Sequence, residues 1–469
     1  MAENKDTSMT RRDVVKLAGA ATVAAAAAEI SAPAIQKVRA ANDQVQFGMI
    51  GTGSRGSYLL GHLAKIDRGH CVALCDINPT ALDHGAQTIG TNPKKFKDYR
   101  ELLALPEVEA VYIAVPLYVH FMVTKDSLLA GKNTFCEKSL VFKPEEVHEL
   151  RQLAADHTKQ ILQVGLQRRY SKFYQTVKEM VDKGVLGEVT HVHAQWHRNP
   201  GWTMKPGGKD NPLNWRLFRQ FSGGMTAELA SHQVDVADWM FGATPDFVVG
   251  VGSLDWRKDG RDINDNIQLI YKYPGGRKMT YTAISTNDFL PYFNGTRTEM
   301  GELIMGTEGA VEITVGDDTH PVIAQWYPEP VKQKMTPASA ADGKDHFVAG
   351  ATMVSAVAGK ALPVLLPKDQ ITGNEGFIDR ELKFARRWLY TKGVIVPEED
   401  RNPVDTELET FLQNCRDGGR PRADVSVGLN DSTAVILSNL CMDEERRVNF
   451  SEIDKLGTGA PAKAAGKKA

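Results

Sequence analysis

The sequence predicts an α/β protein: an N-terminal doubly wound parallel sheet, followed by an α+β domain built on a large mixed or antiparallel sheet. Three observations predict it. Between residues 43 and 165, short apolar runs alternate with helical segments, the pattern of parallel strands joined by crossover helices. After Gly165 the pattern changes to strands of alternating character around a few helices. Between the first apolar run and the first helix stands Gly51-Thr52-Gly53-Ser54-Arg55-Gly56.

The first strand is Val45-Gln46-Phe47-Gly48-Met49-Ile50, and it opens directly into those glycines. A helix-like segment, Tyr58 to Ile66, follows; then comes a second apolar run, Cys71-Val72-Ala73-Leu74-Cys75, which ends in Asp76. The acid lies about 20 residues beyond the last glycine, as in the Rossmann dinucleotide fingerprint. In that reading Gly51 permits the tight turn, Gly53 admits a pyrophosphate close to the backbone, and Gly56 allows close packing of helix on strand. The helix N-terminus offers N–H groups to the phosphates. Asp76 accepts the adenosine ribose hydroxyls and repels a 2'-phosphate. No arginine follows in Ile77-Asn78-Pro79, so NAD is favoured over NADP.

Further parallel strands are expected at Ala110–Val115, Lys132–Cys136 and Gln160–Gly165. The second domain, 166–455, then reads as a helix (Lys172–Lys183), a strand (Glu188–Trp196), a polar loop (Asn199–Gly224) and a helix (Met225–Phe241). Strands follow around Phe247–Val251, Asn266–Tyr273, Lys278–Thr286 and Glu308–Thr314. Residues 320–380 look inserted, two helical stretches lie between Pro403 and Asp443, and 456–469 is a tail of small and basic residues expected to be disordered.

The first 40 residues have their own signature. Arg11-Arg12 precede an alanine-rich apolar stretch, Leu17–Ala28, and small residues at Ala32-Pro33-Ala34 and Arg39-Ala40-Ala41. This is the order of a twin-arginine export signal, which implies the export machinery as a partner and a periplasmic or secreted destination. The apolar stretch is far short of the roughly 20 residues that span a bilayer, so stable membrane insertion is not expected. Without those 40 residues, 50 basic side chains stand against 54 acidic ones, a balance that points away from nucleic acid. The five cysteines show no CxxC spacing and read as buried free thiols.

Several motifs in order carry a resemblance: the glycine pattern; Ala114-Val115-Pro116 with His120; Glu137-Lys138; and Gly223-Gly224 followed by Glu228, His232 and Asp235. From Val45 to about Thr314 the chain resembles the Gfo/Idh/MocA oxidoreductases. The resemblance implies that Gly51, Thr52, Gly53, Ser54, Arg55, Gly56, Asp76, Val115, Pro116, His120, Glu137 and Lys138 surround NAD. It also implies that Lys138 works beside nicotinamide and substrate, coupling loss of a carbinol hydride to loss of the hydroxyl proton, with Glu137 orienting it. Ser139 stands where that family usually has proline. On one helix Glu228 and His232 share a face, which suits a carboxylate–imidazole proton relay, with glutamate in the family's aspartate position.

His191, His193 and His197 share one face of an extended strand, an arrangement open to either a metal or substrate contacts; substrate contact is preferred and no metal is assigned. Arg169, Tyr170, His197, Trp215, Arg216 and Asp235 are the candidate substrate-binding residues; in such a cleft aromatic faces stack on sugars while Arg and Asn read hydroxyls. The expected function is an exported NAD-dependent oxidoreductase acting on a sugar, polyol or glycoside, forming a homo-oligomer through its C-terminal sheet. Two alternatives stand beside it: a redox-neutral NAD-dependent glycoside hydrolase, and a non-catalytic sugar or dinucleotide sensor.

Overall fold

The structure is a computed structural model that describes residues 44–198, 202–287, 300–315, 323–329, 335–337, 353–355, 362–363, single positions between 373 and 383, and 401–457. The expected export signal, much of the 320–380 insertion and the tail beyond 457 lie outside the described residues.

The first layer alternates strand and helix: β1 (Val45–Ile50), α1 (Ser54–Leu63), β2 (Gly69–Cys75), α2 (Pro79–Ile89), β3 (Lys94–Phe96), α3 (Tyr99–Leu103), β4 (Ala110–Ile113), α4 (His120–Leu129), β5 (Asn133–Glu137), α5 (Pro144–Asp156) and β6 (Leu162–Gly165). The strands pair in parallel in the order β3-β2-β1-β4-β5-β6. This is the Rossmann order, with its crevice outside the strand carboxyl ends where the winding reverses between β1 and β4. Strands β4 and β6 are buried at every position; β4 therefore reads as an unbroken apolar run, while β6 also buries Gln163. The three-residue β3 went unseen in the sequence because Lys94-Lys95-Phe96 carries no such run.

The second layer runs α6 (Lys172–Asp182), β7 (Val189–Trp196), a π-helical turn (Thr226–Ala230), α7 (Ser231–Phe241), β8 (Phe247–Ser253), β9 (Asn266–Lys272), β10 (Lys278–Ile284), β11 (Met300–Gly306), β12 (Gly309–Val315) and β13 (Ile323–Pro328). The short strands β14 (Met335–Pro337), β15 (Met353–Ser355) and β16 (Leu362–Pro363), helices α8 (Pro403–Asp417) and α9 (Val425–Asp443), and β17 (Val448–Asn449) follow. Among the described residues nine strands form the second sheet, in the order β16-β13-β12-β11-β7-β10-β9-β8-β17. It is mixed, because β7 and β10 are parallel while the other pairs are antiparallel. Strand β9 alternates buried and open positions, so the sheet keeps one face on the core and presents the other outward.

Two features hold the site in place. Helix α8 seals the outer face of the first sheet: Phe411 meets Tyr112 edge-on at a centroid distance of 5.1 Å, and Tyr112 in turn meets Phe47 and Phe135 at 5.2 and 5.3 Å. Helix α9 runs under both layers. A Cβ on its Gly428 would lie 2.4 Å from Val164 of β6, so only glycine allows this approach. The cysteines are free thiols; Cys71, Cys75, Cys136 and Cys441 are buried and Cys415 half-buried.

Candidate active site

The turn after β1 forms a cradle. Gly51 has φ +90°, and a Cβ there would sit 2.5 Å from the Ala114 carbonyl oxygen; a Cβ on Gly56 would sit 1.9 Å from the Gly51 carbonyl oxygen. Both positions therefore require glycine. At Gly53 a Cβ would meet nothing within 4 Å: the space over it is open. Gly53 is the N-cap of α1 and supplies no side-chain cap, so the first N–H groups of the helix face that space with Ser54 and Arg55 beside it. At the end of β2, Asp76 Oδ2 accepts from the Thr52 N–H and hydroxyl at 2.8 and 3.3 Å, and Oδ1 accepts from the Asn78 N–H at 2.8 Å. Oδ2 already accepts two hydrogen bonds, and Oδ1 keeps lone-pair capacity for a ribose hydroxyl. Glycine cradle, uncapped helix and terminal carboxylate fit a dinucleotide.

Arg55 reaches across the crevice instead of outward: its guanidinium donates to Glu137 Oε1 at 2.7 Å and Gln167 Oε1 at 2.9 Å. Glu137 is thus committed to Arg55 and does not orient Lys138, a correction to the sequence expectation. His120 is also fully engaged. Its Nδ1 lies 2.7 Å from the Ser139 carbonyl oxygen and its Nε2 2.9 Å from that of Val115. Two carbonyl acceptors demand two N–H donors, so the ring is an imidazolium. Burial works against that charge, but Cys136 and the two acceptors outweigh it and push the group up to about 9. Rather than offering a nitrogen to a cofactor, His120 staples the segment Val115-Pro116 after β4 to the segment after β5.

That second segment carries Lys138. Its ammonium donates to the carbonyl oxygens of Ala227 at 2.9 Å and Glu228 at 2.8 Å, in the π-helical turn. The Lys138–Ser139 peptide, where the related pattern has proline, is cis. Burial lowers the lysine's pKa, opposed by the charges of Glu228, Glu137 and Asp431 and assisted by Arg216. The Glu228 carboxylate turns to Arg216, accepting from Nε at 3.0 Å. Burial would raise its pKa, but Arg216 and Lys138 together hold it below the usual range.

The relay expected between Glu228 and His232 is therefore absent from the geometry. A π-helical turn holds more residues than an α-helical one, so positions four apart no longer stack where Thr226–Ala230 runs into α7. His232 Nδ1 is buried with no hydrogen-bond partner. The ring packs on Trp196 with centroids 5.6 Å apart. Burial first, then the positive charges of Lys138, Arg168 and Arg55, hold its pKa well below the ordinary value, so the imidazole is neutral.

Residues 45–166 match the family model described as an oxidoreductase family with an NAD-binding Rossmann fold, and residues 174–312 match the GFO/IDH/MocA C-terminal domain. The chain belongs to the Gfo/Idh/MocA family of oxidoreductases. Its similar curated relatives include an inositol 2-dehydrogenase of Gluconacetobacter diazotrophicus, 33% identical over 156 residues, or 32% of this chain and 45% of that protein. Another is an inositol 2-dehydrogenase/D-chiro-inositol 3-dehydrogenase of Lactiplantibacillus plantarum, 29% identical over 41% of this chain and 51% of that one. The chain thus spans about half the length of these relatives. Among solved structures, scyllo-inositol dehydrogenase from Lactobacillus casei with NAD(H) and scyllo-inositol shares the fold at 17% identity and TM-score 0.59, over 87% of this chain and 99% of that one. The aldose-aldose oxidoreductase from Caulobacter crescentus does so at 18% and 0.63, again over 87% and 99%.

Within this Gfo/Idh/MocA chain, several expected substrate contacts prove to be internal. Arg169 and Asp235 bind each other in a bidentate pair at 2.7 to 3.0 Å, with Asp235 buried, so neither is spare for a ligand. Tyr170 is 1% exposed and part of the core. His197 is buried with Nε2 3.2 Å from the Thr282 hydroxyl, while His191 and His193 both meet the hydroxyl of Thr280 on β10, which stands opposite His193. Trp215 and Arg216 do face the site: the guanidinium lies 4.2 Å from the indole centroid, and Trp215 packs on Leu117 and Ala227.

Two acids escaped the sequence reading. Glu302, on β11, is fully buried, pairs with Arg168 and accepts from the Tyr174 hydroxyl at 2.7 Å; its inward acid broke the apolar pattern that would have marked the strand. Asp431, on α9, is 1% exposed with no hydrogen bond to either carboxylate oxygen. Only the placement of α9 reveals it.

Proposed function

We infer that this chain is an exported NAD-dependent oxidoreductase that acts on a CH–OH group of a sugar, polyol or glycoside. The observation that carries the reading is the anchoring of Lys138, at the end of β5, to the turn that leads into His232, beside a cradle shaped for a dinucleotide. NAD, when bound, supplies the hydride acceptor. The neutral His232 imidazole is in the state to take the carbinol proton, and the Lys138 ammonium stabilises the developing alkoxide. Trp215, which packs on Leu117 and Ala227 beside Arg216, provides a flat apolar wall of the kind that stacks on sugar C–H faces. The Asp76 carboxylate supports NAD over NADP.

The inositol dehydrogenase relatives and the aldose-aldose oxidoreductase neighbour support a polyol or sugar as substrate. The open face of the second sheet, with Val251 63% and Ile270 45% exposed, supports self-association. Outside the cytoplasm no free nicotinamide pool exists, so the cofactor is retained and reoxidised within the catalytic cycle. Replacing both Arg11 and Arg12 by lysine tests export: retention of the precursor in the cytoplasm is expected, and unchanged secretion would refute the signal.

Purified mature protein, incubated with a panel of polyols, sugars and aryl glycosides without added NAD, tests the chemistry through absorbance near 340 nm and product mass. Stoichiometric NADH or sugar-to-sugar redox exchange is expected. Cleaved glycoside with no net NADH would establish the redox-neutral hydrolase instead, and silence in both channels would favour the sensor.

A further inference from the structure

We propose that Asp431 is a positioning residue of the reaction centre, a buried carboxylate on α9 that holds the positive charge on Lys138. The proposal rests on the reading of Lys138 given above. Its geometry comes from one face of α9. Gly428, one turn before Asp431, approaches Leu140; Ser432 Oγ accepts from the Val141 N–H at 3.2 Å; and Val435, one turn after, lies against Gly223. Asp431 is therefore aimed into the seam between the strand end that carries Lys138 and the turn that anchors it.

Both carboxylate oxygens are buried there without a formed hydrogen bond; the Ser139 hydroxyl, the neighbouring donor that favours the ionised form, likewise has no formed hydrogen bond. An unpaired buried carboxylate is costly and persists where it has an electrostatic task. The groups facing it are Lys138, Ser139 and Arg169, which favour its ionised form, and Asp235, Asp238 and Tyr271, whose own ionisation it disfavours or which disfavour it. Burial dominates and pushes Asp431 up to about 7, with Asp235 adding to the effect and Lys138 opposing it. Asp431 and Lys138 thus favour each other's charge: the carboxylate supports the ammonium against burial. Once Asp431 takes up a proton, that support is withdrawn.

The test uses the NAD-loaded protein and Asp431→Asn, which preserves size and removes the charge. The readout is the pH dependence of Lys138 acylation by an amine-selective reagent, followed by peptide mass spectrometry, together with the pH profile of turnover. The variant is expected to move the midpoint of Lys138 reactivity down by about one pH unit, a roughly tenfold change in reactive amine at fixed pH, and to lower the alkaline limit of turnover in step. Asp431→Glu should restore much of the midpoint. An unmoved midpoint in a folded Asp431→Asn protein would overturn the proposal, even if thermal stability changed. A shifted midpoint in a protein that turns over none of the panel would leave Asp431's role standing and refute the oxidoreductase reading.

Discussion

Lys138 donates to the carbonyl oxygen of Glu228 at 2.8 Å, while the Glu228 carboxylate accepts from Arg216 at 3.0 Å. The lysine's hydrogen bond thus goes to the glutamate's main chain and not to its carboxylate. Two substitutions separate these roles. Lys138→Ala should lower turnover by about 10²- to 10⁴-fold while NAD remains bound. Glu228→Gln keeps the carbonyl anchor and should cost less than about tenfold. Steady-state kinetics with the bound-nucleotide content of each variant checks both, and equal losses would restore the relay reading.

Two glycines of the cradle, Gly56 and Gly53, should fail in different ways. Gly56→Ala puts a Cβ on the Gly51 carbonyl oxygen and should destabilise the fold, whereas Gly53→Ala points into open space. Gly53→Ala is therefore expected to melt like the wild type and yet bind NAD at least about tenfold more weakly, about 1.4 kcal/mol. Differential scanning calorimetry and calorimetric titration of the apoprotein decide it.

Asp76 governs cofactor choice through charge. Asp76→Asn removes the repulsion of a 2'-phosphate and one of the two acceptor oxygens that serve Thr52 and Asn78, so NAD should bind about tenfold more weakly while NADP binding improves. Dissociation constants for both nucleotides test this, and an unchanged ratio would assign selectivity elsewhere.

The Arg169–Asp235 pair predicts a stability defect and not a specific loss of substrate affinity. Either Arg169→Ala or Asp235→Ala leaves a buried charge unpaired and should cost about 3–5 kcal/mol. The double variant should cost less than the sum of the two. Chemical denaturation measures all three.

His120 and His232 give opposite pH dependences. The folded value of His120, about 9, lies above its ordinary 6.5. Its contribution is full below 6.5 and is lost as pH rises through 9, up to about 3 kcal/mol. His232 is depressed, so its contribution is present above 6.5 and is lost as pH falls below that value. His120→Gln should flatten the stability curve between pH 6.5 and 9, and His232→Gln should flatten its acid side. Melting temperatures across pH 5 to 9 report both.

Much of the fold and the nucleotide cradle were legible in the sequence because their physics is local. Glycine's freedom from a Cβ, the apolar continuity of buried parallel strands and an acid at a strand end each act within a few residues. Lys138 was legible for the same reason, as the residue at the end of β5. Partner choice was decided only by the tertiary structure. Arg55 takes Glu137 from 82 residues away, Asp235 takes Arg169 from 66, and Lys138 reaches the turn before His232 across 90. A buried charge pairs with whichever opposite charge the packing brings within reach, and sequence spacing carries no record of that. The π-helical turn rotated Glu228 away from His232, and α9, more than 280 residues beyond Lys138, delivered Asp431 to it.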